Sequence, residues 1–139
     1  MVLGEKLWEG RAKTTSFSVK SVASSGIKSE FTWVADLKGL GKALSVDGYL
    51  TFTERVISRP SGAIVGKGQG FFTTKEGEIV TIRGKGQSKT DKGKVKGLGL
   101  WSLETGSQRL AWVNSEIILL THDWHPLGVD FDISIYQWE

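Results

Sequence analysis

Two carboxylates and an amide stand out in this chain as groups able to handle a proton. Glu54 lies in Leu50-Thr51-Phe52-Thr53-Glu54-Arg55-Val56 and shares the parity of Leu50, Phe52 and Val56. On an extended strand it therefore turns toward the same apolar face. Glu116 and Asn114 lie in Trp112-Val113-Asn114-Ser115-Glu116-Ile117, where Asn114 shares the parity of Trp112. A carboxyl in apolar surroundings keeps its proton to higher pH and can serve as general acid or base. The amide of Asn114 can polarise a bound carbonyl. Glu54, Glu116 and Asn114 are thus the candidate catalytic residues. The competing reading makes each carboxylate a rim residue, or a buried one paired with Arg55, Arg109 or a tyrosine.

His122, Asp123 and His125 cluster around Trp124 and Pro126. Two histidines and an aspartate are donors suited to zinc, but their spacing matches no strong ligand motif and a turn is a poor cage. A solvated turn is the expectation, and no metal site is assigned. The chain has no cysteine, which excludes disulfides, thiolate zinc sites and cysteine nucleophiles. The run Gly66-Lys67-Gly68-Gln69-Gly70 is not a phosphate loop, because no helix follows it to supply an N-terminus. No cofactor is expected.

The elements that must position these residues are strands. Helical periodicity is nearly absent, and alternation with period two recurs along the chain. It marks eight segments, at about 6–23, 28–38, 46–58, 63–74, 78–88, 94–104, 108–121 and from 129 onward. Parity switches inside the first, where Trp8, Gly10 and Ala12 give way to Phe17 and Val19, so a bulge is expected near Thr14-Thr15-Ser16. Long strands with short connections favour closure, which removes exposed edges. The fold class read from this pattern is all-β: a single eight-stranded antiparallel up-and-down barrel spanning 1–139 as one domain.

Glycine is in excess, 18 of 139 residues. The pairs and triplets Gly66/Gly68/Gly70, Gly84/Gly86 and Gly97/Gly99 each share one face of consecutive strands. They make a patch without side chains. Three compensations are open: tight coiling of the wall, reception of large aromatics from across the lumen, or space for a ligand. Trp8, Trp33, Phe52, Trp112 and Phe131 are the residues expected to line the lumen and touch a guest.

Charge is uneven. Residues 67–96 hold eight Lys/Arg against three acids, and residues 116–139 hold five acids and no Lys or Arg. Alternation of Arg83 and Lys85, or Lys94 and Lys96, with apolar or glycine positions reads as a solvated strand face. Nucleic-acid binding is disfavoured, since few aromatics stand beside those lysines to stack bases. No signal peptide and no apolar run of membrane length is present, so a soluble, cytoplasmic protein without membrane partners is expected.

Several stretches resemble the small bacterial and archaeal barrels of the allene oxide cyclase-like family. They are Gly66-Lys67-Gly68-Gln69-Gly70 with Thr73-Thr74-Lys75-Glu76-Gly77-Glu78, then Gly84-Lys85-Gly86-Gln87. Further on come Gln108-Arg109-Leu110-Ala111 with Asn114, and Tyr136-Gln137-Trp138-Glu139. The resemblance, calycin-like in shape, implies an eight-stranded barrel that forms homo-oligomers and has a lumen for a hydrophobic small molecule. The expected function is binding of an apolar small molecule, with cofactor-free cyclisation or isomerisation as its enzymatic form. The alternative is a non-catalytic oligomeric scaffold with a lumen filled by side chains.

Overall fold

The computed structural model describes residues 3–92, 94–124 and 130–138. Its strands are β1 Leu3–Ala23, β2 Gly26–Gly39, β3 Gly48–Ser58, β4 Ala63–Thr74, β5 Ile79–Asp91, β6 Lys94–Thr105, β7 Ile117–Trp124 and β8 Asp130–Trp138. They pair antiparallel in chain order, and β8 returns to β1 to close the barrel. The alternation of apolar and polar residues produces this: Leu50, Phe52, Phe72, Val80, Ile82, Trp101 and Leu103 are buried, while their sequence neighbours face outward. The parity switch in β1 is a real irregularity, with register shifts between Thr14 and Ser16 and between Val19 and Ser21. After it, Phe17 stands opposite Phe31. Among the described residues β8 accompanies β1 only as far as Lys13, opposite Asp130. Beyond Lys13, β1 is paired with β2 alone among the described residues, while β2 stays paired with β3 as far as Ile27.

The expected strand at 108–121 is interrupted. Residues Ala111–Ser115 form a 3-10 helix, and β7 begins only at Ile117. Leu110 and Val113 are both buried, and their spacing of three matches one face of a helix with three residues per turn. That face seals one end of the barrel. A second 3-10 turn, Gly41–Ala43, does the same from the β2–β3 connection, burying Ala43 and Val46. The Trp8 indole N–H donates to the Val46 carbonyl at 2.9 Å, and the Trp8 ring stacks on Trp112 at 6.0 Å. β7 also runs further than expected, so His122 and Asp123 sit on a strand rather than in a turn.

The lumen is packed with aromatic rings. Phe52 lies 4.8 Å from Trp101 and 5.5 Å from Trp33, and Trp33 lies 5.5 Å from Phe131. These rings answer what the glycine ladder is for. The bare patch forms as the parity implies, with Gly66 opposite Gly86 and Gly86 opposite Gly99. A Cβ on Gly68 would meet Phe52 Cε1 at 2.7 Å, and one on Gly84 would overlap the Trp101 ring. Cβ atoms on Gly68 and Gly70 would also strike the carbonyl oxygens of Thr53 and Thr51. Aromatic packing and close coiling of the wall both demand glycine there.

Candidate functional site

Opposite the sealed end the lumen narrows to a cavity of about 30 Å³, close to the share of one molecule in liquid water, about 30 Å³. Glu54, Ser88, His122 and Trp101 line it, together with the backbone of the glycine patch. Parity on β3 turns Glu54 inward, with Phe31 opposite on β2 and Gly68 opposite on β4. A phenyl ring and a bare glycine offer no cation, so burial pushes the Glu54 carboxyl above its ordinary value near 4.5. The Trp33 indole N–H donates to Glu54 Oε1 at 3.3 Å and only partly offsets that rise.

His122 comes from β7, two residues beyond the buried Leu120 and opposite Gly97 and Ile133. The glycine makes room for the ring, since a Cβ there would overlap the imidazole. The ring meets Phe131 edge-on at 6.2 Å. Its Nε2 lies 3.4 Å from Ser88 Oγ, and its buried Nδ1 has no partner among the described residues. Burial pulls the His122 pKa below the usual 6.5, with the neighbouring Asp123 carboxylate opposing. One cavity thus faces a carboxyl that resists ionising and an imidazole that resists protonation. Two titratable groups lining one cavity, with burial pushing the carboxyl pKa up and the imidazole pKa down, have the opposed shifts suited to acid–base roles.

The other candidate residues lie elsewhere. Asn114 braces the 3-10 helix at the sealed end: the Thr105 backbone N–H donates to its Oδ1 at 2.8 Å and its Nδ2 donates to the Thr105 carbonyl at 3.1 Å. Glu116 accepts from Gln137 Nε2 at 3.0 Å and faces Lys42 at 3.6 Å. The fold does not bring Glu54, Asn114 and Glu116 together. The five expected ligand-contact residues also divide, Trp33, Phe52 and Phe131 packing in the aromatic cluster below Glu54, and Trp8 and Trp112 stacking at the sealed end. His125 is outside the described residues, and Asp123 is exposed, on the opposite face of β7 from His122. Among the described residues no three potential ligands gather around a metal position.

A second charged cluster joins the β4–β5 turn to the β6–β7 connection. Arg109 and Ser107 both donate to the Glu78 carboxylate and hold its pKa at about 2. Thr74 at the end of β4 also donates to the Glu78 carboxylate at 3.2 Å, so the cluster ties the strand end to both connections as a brace. The sequence reading missed Ser88 and the inward turn of His122. The spacing of Ile118, Leu120 and His122 carried that signal, masked by the assumption that the strand ended at 121.

No family model and no curated protein matches the sequence. Solved structures do. A conserved protein of unknown function from Rhodopseudomonas palustris aligns with TM-score 0.78 at 16% identity, covering 99% of this chain and 98% of its own. A beta-barrel like protein from Acinetobacter baumannii AYE aligns with TM-score 0.76 at 13% identity, covering 97% and 94%. An enzyme from Penicillium herquei aligns with TM-score 0.67 at 14% identity, covering 95% and 92%. The likeness is one of fold, and none of these three is described as allene oxide cyclase-like.

Proposed function

We propose that this barrel binds a small, largely apolar molecule at the Glu54 end of its lumen, the packed rings parting to enlarge a void that at rest holds about one water, and moves a proton within it, as a cofactor-free isomerase or cyclase. The observation that carries the reading is the cavity shared by Glu54 and His122, where burial raises the carboxyl pKa and lowers that of the imidazole. In a ketone substrate, Glu54 gives its proton to the carbonyl oxygen while His122 takes one from the adjacent carbon. Where that ketone is β,γ-unsaturated and the carbon deprotonated is the α carbon, the dienol that forms regains a proton at its γ carbon from His122 and returns the oxygen's proton to Glu54, moving the double bond into conjugation. Ser88 orients the imidazole. The rings of Trp33 and Trp101 exclude water from the carboxyl. An enzyme among the structural neighbours supports the reading as an analogy of fold.

The test is incorporation of deuterium from heavy water into a panel of apolar ketones and enones, followed by NMR. General acid–base groups contribute about 10²–10⁴-fold, so Glu54→Gln and His122→Gln should each slow exchange by at least that lower figure while ligand-induced changes in tryptophan fluorescence persist. Exchange at wild-type rates in both variants, or in no ketone at all, overturns the assignment. The packed lumen, with a second void of only about 20 Å³ between Trp8 and Trp101, favours one other reading, an oligomeric scaffold without chemistry. In that case no ligand shifts the fluorescence and sedimentation shows a stable oligomer.

A further inference from the structure

The outer face of the wall carries a feature the lumen does not use. A groove of about 1330 Å³ runs from Lys20 on β1 across β2 to β7 to Trp138 on β8, and its described lining holds seven cationic side chains against one acid, Glu30. Glu30 pairs with Arg55 at 3.2 Å. Among the described residues none of the six lysines there has an acidic partner. Three cations form a row. Arg55 on β3 stands directly opposite Lys67 on β4, and Lys67 directly opposite Lys85 on β5. Lys89 and Lys96 repeat the pattern between β5 and β6. Directly opposed side chains on antiparallel strands have their Cβ atoms about 5 Å apart, and like charges in that relation oppose the pairing.

The row does not continue as charge. Lys85 is followed by Leu100 on β6 and Leu119 on β7. Beside it run Ile57 and Val65, with Leu98 on the same line across Gln87. Leu100 is 40% exposed, and Leu119, on the outward side of its strand, is only 1% exposed. An aliphatic bed next to a strip of unpaired cations is complementary to a molecule with an apolar body and an anionic head. We infer that this outer groove binds an amphipathic organic anion, its head across Lys67 and Lys85 and its body along Leu98 and Leu100.

The groove's volume of about 1330 Å³ exceeds the ~300–1,000 Å³ of usual small-molecule pockets, which leaves room for one elongated molecule laid along the cation row. Nucleic acid is the poorer match, because bases need aromatic platforms and among the described residues the only ring in the groove lining is Trp138. The inference rests on the outward side chains of Lys67 and Lys85 and not on Glu54 or His122, although the groove and the lumen cavity share lining at Gly66, Lys67, Lys85, Gly86, Ser88 and Leu98.

The test uses the full chain and two probes with the same ring system, anilinonaphthalene sulfonate and neutral N-phenyl-naphthylamine. Fluorescence titration at ~50 mM salt should show one sulfonate site binding about tenfold or more tighter than the neutral probe, a ratio that falls at ~500 mM salt. The double variant Lys67→Gln/Lys85→Gln should lose that preference while keeping the wild-type circular dichroism spectrum and melting temperature. Glu54→Gln should keep it, which separates this site from the lumen. Equal affinity for the two probes, or an unchanged preference in the double variant, overturns the inference. So does Lys67- and Lys85-dependent binding of a single-stranded oligonucleotide or of anionic vesicles without any preference for the sulfonate.

Discussion

Replacing Trp101 with alanine should open the interior of this barrel. The ring is 3% exposed and stacks on Phe52 at 4.8 Å and on Trp33 at 6.1 Å. It also lines both small voids, the one beneath Glu54 and the one above Trp8. Truncating a buried tryptophan costs about 3–5 kcal/mol, transfer energy and residual cavity together. Each aromatic contact contributes about 0.5–1.5 kcal/mol of that. For a chain of this size each kcal/mol moves the melting temperature by about 3–4 °C, so Trp101→Ala should melt roughly 10–20 °C lower. The new void joins the two existing ones into a dry, ring-shaped site. Indole at about 100 times its Kd should therefore restore about 2.7 kcal/mol to the variant and leave the wild type unchanged. Calorimetry with and without indole reads both effects. A variant that melts within about 2 °C of wild type, or a wild type that indole stabilises equally, would refute a lumen filled by this ring.

Other perturbations read the same interior. Glu54 has a folded pKa above 4.5, so its stabilising contribution is complete below that value and disappears as pH rises through the folded pKa; Glu54→Gln should abolish this decline in urea midpoints measured against pH. His122 behaves oppositely, with a folded pKa below 6.5: stability is present above 6.5 and lost as pH falls through the folded value. NMR titration of its ring protons should give a midpoint under 6.5, and one at or above it contradicts the burial argument. Gly84→Ala forces a Cβ into Trp101 and should cost about 1–3 kcal/mol. Gly106→Ala, with nothing within 4 Å of the added atom, should be neutral or raise stability by up to about 1 kcal/mol; equal effects at both positions would dissociate the glycine patch from ring packing.

Much of this architecture was legible because side-chain alternation is a local property. It placed β4 at its observed bounds, located the irregularity near Thr14–Ser16, turned Glu54 inward and set the glycines of three strands side by side. It failed where another period intervened. Leu110 and Val113 obey a spacing of three, and reading them as strand moved Asn114 onto the lumen when its amide is committed to Thr105. His122 escapes the alternation because the expected strand end at 121 falls three residues short of Trp124, and a histidine flanked by Asp123 looks like turn chemistry. What lay beyond sequence was the filling of the lumen. Whether Trp101 meets Gly84 or leaves it open depends on register between strands, and no single segment encodes that.

One seam of the barrel differs from the rest. Seven of the eight pairings join strands that follow each other along the chain, while the eighth joins β1 to β8. That seam carries two register irregularities, between Leu3 and Lys6 and between Lys6 and Trp8. Hairpins close early because their loops are short, whereas contacts between distant segments wait for a larger entropy cost. The wall can therefore zip as an open sheet, and the last seam acts as a latch. It closes only when every earlier strand is in register, because a slip of one residue would turn the core side chains of that strand outward. Closure thus proofreads the whole assembly, and the irregular latch supplies the slack that lets a correctly built sheet meet itself.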